Sequence, residues 1–249
     1  MFAAHTSRGT IRGRWFRTLM LLPLAAVLLT VLPAFGQQEY VSRYDAYVGY
    51  AFLDSPRIDL FEPGVAFQVG FRPKTWYSFG FDYSISGGNL KITPDLLPTA
   101  LQQTLGAQLA GLAAIGRLPA GYQLIVPAHS DTQTFAVGPQ LAYRHFSHLT
   151  LFLRPVFAGA IREVATPKPT DAIATAIVAQ LTPTGKKRDW AGFVGFGGGF
   201  DVLVAKHFAL RAQGDLVYDH LFNDLLAQGR WTYRFSVGPA FNFGRNVAK

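Results

Sequence analysis

In RWTYRFSVGPAFNFG, Arg230–Gly244, every second residue from Tyr233 on is bulky and apolar: Tyr233, Phe235, Val237, Pro239, Phe241 and Phe243. Arg234, Ser236, Gly238, Ala240 and Asn242 lie between them. Strict period-two alternation describes a β-strand with one apolar face and one small or polar face. Such a strand fits a soluble sandwich, with the apolar face in a protein core. It equally fits a membrane barrel, with the apolar face in lipid and the polar face turned inward. The remaining sequence has to separate the two.

Seven more segments repeat the pattern. They are Tyr44–Leu53, Gly64–Arg72, Thr75–Ile85, Thr132–His145, Leu149–Ile161, Trp190–Val204 and His207–Tyr218, and Trp231–Phe243 is the eighth. Their large apolar faces carry Phe67, Phe79, Phe81, Phe235, Phe241 and Phe243, and on the fifth strand Phe157 and Ile161. The opposite faces carry Asp45, Gln68, Asp82, Arg144, Arg154, Asp201, Arg211, Gln213, Asp215 and Arg234 among many Gly and Ala. Lys and Glu, the usual residues of a solvated sheet face, are absent from that set. Arg and Asp suit a crowded interior where charges must pair and hydrogen-bond.

The joins fix the order. Tight turns at Arg72–Thr75, Phe146–His148 and Ala205–Lys206 alternate with longer joins at Asp54–Pro63, Ser86–Asp131, Arg162–Asp189 and Asp219–Arg230. An antiparallel meander then has all tight turns at one end and all long loops at the other. The predicted fold is all-β: an eight-stranded antiparallel up-and-down transmembrane β-barrel with short helices in two outer loops. In lipid the sheet must close, because every backbone polar group needs a partner.

Composition agrees. Charged residues make up 15% of the chain, against about 25% in a typical soluble domain. Aromatics reach 14%, and there is no cysteine, so disulfides and thiolate metal sites are excluded. Residues 1–36 read as a signal peptide. Arg8, Arg12, Arg14 and Arg17 precede the apolar run Thr18–Leu32, and Pro33-Ala34-Phe35-Gly36 offers a small-residue cleavage site. The barrel then occupies 37–249. Removing those four arginines takes the net charge from +8 to +4, so the basic balance does not argue for a nucleic-acid partner.

The chain resembles the eight-stranded outer-membrane β-barrel proteins of OmpA/OmpX type, in the broad group called porin-family outer-membrane β-barrel domains. The resemblance covers about residues 40–244. It rests on strand number, turn alternation, the leader, and the phrases GFGGGFDV, FALRAQGDLVYDHLF and RFSVGPAFNFG. It implies a location in a Gram-negative-type outer membrane of the cell envelope, with lipid and lipopolysaccharide as surroundings. It is nearly silent on activity.

The inward charges are the sharpest chemical feature. The turn at Ala205-Lys206 brings Asp201 beside Arg211, and Asp215 lies across from Arg234. With Asp82, Arg144 and Arg154 they form the expected interior charge network, which plugs a barrel just wide enough for side chains. The competing reading is a narrow porin-like channel for small solutes. In the loops, Leu101, Leu105, Leu109 and Leu112 fall on one helical face of Asp95–Gly116. In TDAIATAIVAQL, Thr170 is placed as the cap, with Ile173, Ile177 and Leu181 as a stripe. These helices form either a lid or a docking surface for an extracellular partner; a periplasmic protein partner is the other expectation. A lipid A-modifying enzyme is the alternative from another class, with His129 or His220 as base. However, His129-Ser130-Asp131 cannot converge on one point of an extended chain. No metal spacing is present, no cofactor is expected, and no catalytic residue is assigned. The expected role is therefore non-enzymatic: a membrane scaffold with interacting outer loops.

Overall fold

The computed structural model describes residues 38–247, so the leader lies outside the described residues. Eight strands close into one barrel in chain order. They are β1 (Ser42–Ser55), β2 (Leu60–Phe71), β3 (Tyr77–Ile92), β4 (Val126–Tyr143), β5 (Leu149–Pro167), β6 (Lys187–Ala205), β7 (Phe208–Asp219) and β8 (Arg230–Asn246). Every neighbouring pair is antiparallel. The closing pair sets Tyr47 opposite Ala240 and Phe52 opposite Phe235. Two helices stand in the loops: α1 (Thr99–Ala114) between β3 and β4, and α2 (Ala172–Leu181) between β5 and β6.

The quoted strand behaves as its alternation requires. Arg230, Thr232, Arg234, Ser236, Ala240 and Asn242 are buried, while Trp231, Tyr233, Phe235, Val237, Phe241 and Phe243 are exposed. The other strands follow. Phe67, Phe79, Phe81, Phe235, Phe241 and Phe243 all lie on the outer surface, between 41% and 52% exposed. Aromatic rings crowd both ends of this apolar wall. Tyr44, Phe71, Trp76, Tyr143 and Phe243 sit toward the tight turns, and Phe61, Trp190, Tyr218 and Trp231 toward the loops. A soluble ligand-binding barrel would need the reverse orientation.

Two expectations fail here for physical reasons. First, the strands run longer at the loop end than the apolar alternation does. β3 and β4 pair as far as Ile92 and Val126, and β5 and β6 as far as Ala165 and Lys187. Beyond the apolar wall the outward residues include the exposed Lys91 and Asp131, so the large-apolar outer face ends and the period-two signal fades while the backbone ladder continues. Second, Phe157 and Ile161 point inward, each 1% exposed. The registers against β4 and β6 shift between Val137 and Leu141 and between Arg154 and Phe157. Pro155 and Val156 together oppose Phe196, and both face outward. Proline has no N–H to give the ladder, and the extra residue inverts the face of everything after it.

The run Gly195–Gly199 makes room for this interior. A Cβ on Gly195 would come within 2.7 Å of the Phe157 ring, and one on Gly197 within 2.1 Å of the Asp215 carboxylate. These positions stay side-chain-free because bulk from neighbouring strands already fills the space.

Candidate functional site

The interior holds ion pairs at three levels. At the tight-turn end Arg211 is fully buried. Its Nε lies 2.7 Å from Asp201 Oδ1, its Nη2 lies 2.9 Å from Asp45 Oδ2, and its Nη1 donates to Gln68 Oε1 at 2.6 Å. Arg72, absent from the expected network, joins this level. It pairs with Asp45 at 3.1 Å and donates to Ser42 Oγ and Asn242 Oδ1. At mid-barrel Arg154 bridges Asp82 and Asp215, the latter at 3.0 Å, and Arg234 reaches Asp82 Oδ1 at 3.2 Å. At the loop end Arg230 contacts Glu163 and lies 3.2 Å from Asp219. Ser130 donates to Glu163, while Ser86 and Thr132 donate to Glu62.

Several placements differ from the expected ones. Asp215 and Arg234 are register neighbours, yet Arg234 pairs with Asp82 and Asp215 with Arg154. The guanidiniums span the narrow lumen, so their partners lie on distant strands. Arg144 is half-buried near the tight turns. It donates to the Thr75 carbonyl, Gln38 Oε1 and Thr150 Oγ1. Glu62, Glu163, Asp219 and Arg230 fall within the joins read from the sequence, because the apolar alternation ends before them. Glu is therefore present inside after all, at 0% and 1% exposure for Glu62 and Glu163.

Aromatic faces flank the arginines. Arg154 Cζ lies 4.1 Å from the Phe157 ring centroid, and Arg211 Cζ lies 5.3 Å from Phe152 and 5.5 Å from Tyr47. Stacking suits guanidinium because it is planar and more weakly hydrated than an ammonium group. Together with these rings the arginines fill the lumen, and an eight-stranded barrel leaves little beyond that.

The two helices cover the loop end. Leu105 and Ile177 share one apolar cluster with Leu97, Leu124, Val126 and Ala174, and Leu101, Leu109, Ile173 and Leu181 pack against it. Asp171, not Thr170, caps α2: its Oδ1 accepts from Ala174 N at 2.8 Å and its carboxylate accepts from the Tyr122 hydroxyl. The hydrogen bond from the Ala174 N–H is the main reason its pKa sits below the ordinary carboxylate range. A carboxylate with a lowered folded pKa contributes stability above its unfolded value, and this is lost as pH falls through the folded value. Hydrogen-exchange protection at the Ala174 amide is accordingly expected to hold at neutral pH and to fade at strongly acidic pH. Asp171→Ala is expected to lose it at neutral pH, while Asp171→Asn, a good cap in its own right, keeps most of it.

The candidate nucleophile-and-base residues do not converge. Ser130 points inward to Glu163, while His129 and Asp131 face outward, 3.6 Å apart. Asp219 is buried against Arg230, and the basic run Lys186–Arg188 places Lys187 against Asp224.

No protein-family model matches the sequence, and no curated protein matches it. Solved structures do. Ail, the attachment invasion locus protein of Yersinia pestis, in complex with the heparin analogue sucrose octasulfate, aligns with a TM-score of 0.44 at 11% identity, covering 81% of this chain and 97% of that one. Neisserial surface protein A aligns at 0.45 and 11% identity over 80% and 96%. OprG of Pseudomonas aeruginosa, an outer membrane protein, aligns at 0.45 and 7% identity over 84% and 99%. The likeness is one of fold.

Proposed function

We propose that this chain is an exported outer-membrane β-barrel of non-enzymatic function, a scaffold with a sealed polar interior and outer loops that engage the surroundings. The observation that carries the reading is the outer wall. Large apolar side chains stand exposed on all eight strands, from Tyr50 and Phe67 round to Leu210 and Phe235. That is far more contiguous apolar surface than a water-soluble monomer shows. Lipid is the solvent that matches it, with aromatic rings at both rims where the membrane meets water. Residues 1–36 serve in this reading as the leader that directs export. Lipopolysaccharide meets the wall, and the exposed Lys186 and Arg188 are placed to meet its phosphates.

The paired charges support a plug. Opposed guanidiniums and carboxylates in a narrow lumen exclude the water that a conducting path needs. The folded protein in planar bilayers is expected to show no sustained single-channel steps. Steps that recur and scale with salt would favour the channel reading. Heat-modifiable gel mobility in detergent is the matching test of the folded barrel.

A further inference from the structure

The two ends of the barrel are charged differently. At the loop end, cations and acids outside the interior are nearly balanced, and some pair directly, Lys91 with Asp59 and Lys187 with Asp224. At the tight turns Lys74, Lys206 and Arg245 are exposed, and Arg43 and Arg144 are half-buried. Asp45 and Asp201 lie at that end too, but they are buried and held by Arg72 and Arg211. Glu39 is the one exposed acid there among the described residues. Five cations less one acid leave +4 at this rim, with histidine counted as neutral.

The three exposed cations are spread around the circumference. Lys74 stands in the β2–β3 turn, Lys206 in the β6–β7 turn, and Arg245 near the end of β8, where the barrel closes on β1. None of them forms an ion pair among the described residues. Both lysines lie against aromatic rings at the edge of the apolar wall. Lys74 Nζ is 5.9 Å from the Trp76 ring centroid, and Lys206 Nζ is 4.9 Å from that of Tyr40. The Tyr40 hydroxyl donates to the Gly244 carbonyl at 2.8 Å, which ties that ring to the backbone next to Arg245. Basic side chains of this kind rest their stems on apolar surface and hold their charged heads at the membrane face. Cations set around the barrel in one plane match a layer of headgroups better than the single contiguous patch a protein partner needs. We infer that the tight-turn rim binds anionic phospholipid headgroups, of the phosphatidylglycerol or cardiolipin class, whose phosphate oxygens accept from Lys74, Lys206 and Arg245. A zwitterionic headgroup is disfavoured because it returns a cation to an already cationic rim. The inference rests on the reading that the wall faces lipid.

The test reads the lipid beside one rim residue. Trp15→Phe, Trp190→Phe and Trp231→Phe leave Trp76, next to Lys74, as the only tryptophan of the full chain. The folded protein is placed in phosphatidylcholine vesicles, and its fluorescence is followed as phosphatidylglycerol or phosphatidylcholine brominated near the headgroup is added. Bromine quenches on contact, so the titration reports which lipid occupies the rim. Phosphatidylglycerol is expected to be preferred by about fivefold, the effect of one basic residue at an anionic surface. The preference is expected to vanish in Lys74→Gln, and in about 1 M salt, where the screening length falls to about 3 Å. Equal quenching by the two lipids, or a preference that Lys74→Gln and salt leave intact, would overturn the inference while leaving the wall in lipid. Quenching by neither lipid would remove the lipid-facing wall itself. If the single-tryptophan variant lacks heat-modifiable mobility, spin-labelled forms of the two lipids make the same comparison on the unmodified chain. The phosphatidylglycerol label must then be the more strongly immobilised and must lose that excess in high salt, or the inference fails.

Discussion

Replacing Arg154 with methionine is expected to destabilise the folded barrel by about 3–5 kcal/mol, the usual cost of removing one partner from a buried ion pair. Arg154 is 1% exposed and is the guanidinium between Asp82 and Asp215. Without it Asp215 loses its ion-pair partner, while Asp82 keeps Arg234 at 3.2 Å. The cost comes from the stranded carboxylate and not from the lost attraction, so it is reversible by design. Adding Asp215→Asn to Arg154→Met is expected to recover most of the loss, because the remaining group is neutral. Urea unfolding of the protein in lipid vesicles reads both variants. Equal destabilisation by the single and double variants would show that Arg154 acts by packing on Phe157, 4.1 Å away, and not by pairing.

The second large effect lies on the opposite face. Val237 is 38% exposed midway along β8, between Phe235 and Pro239. In water, an exposed valine changed to arginine costs within about 0.5 kcal/mol. At the middle of a bilayer the same change costs about 2–4 kcal/mol, because the charge must leave water. Val237→Arg is therefore expected to lower vesicle unfolding stability by that larger amount and to slow insertion. The same substitution at Trp231, near the rim, is expected to cost about 1 kcal/mol or less for its charge. No difference between the two depths would argue that the wall meets water along its whole height.

The eight strands, their order and, outside the second half of β5, their faces were legible because an apolar wall forces period two on each segment. Arg234 and Phe235 were assigned to opposite faces from alternation alone, and the structure places them so. The strand ends were not legible. Past the wall the outward residues Lys91 and Asp131 are polar and exposed, and nothing local marks that the ladder continues to Ile92 and Val126. The inversion at Pro155 was hidden for a related reason. A bulge leaves both Pro155 and Val156 outward, and a chain of apolar residues on either side of it reads as one unbroken face. Ion-pair partners were partly legible. Asp201 and Arg211 are cross-strand neighbours two turns of the ladder from a tight turn, which sequence distance can place. Arg234 with Asp82 spans the lumen between β8 and β3 while Arg154 takes Asp215, and neither pairing follows from strand neighbourhood. The lid helices were legible by their leucine spacing, but an apolar chamber beneath them depends on Phe222 and Leu226 of another loop.

The chain has no cysteine, so single-site labels can be placed anywhere without background. Spin labels at Val237→Cys and Phe241→Cys, facing out, and Ser236→Cys, facing in, compare the two faces of one strand in the folded, vesicle-bound protein. The prediction is frequent collision of the outward labels with lipid-soluble oxygen and rare collision with a water-soluble nickel chelate, with the inward label shielded from both. Outward labels that collide freely with the nickel chelate would contradict a lipid-facing wall.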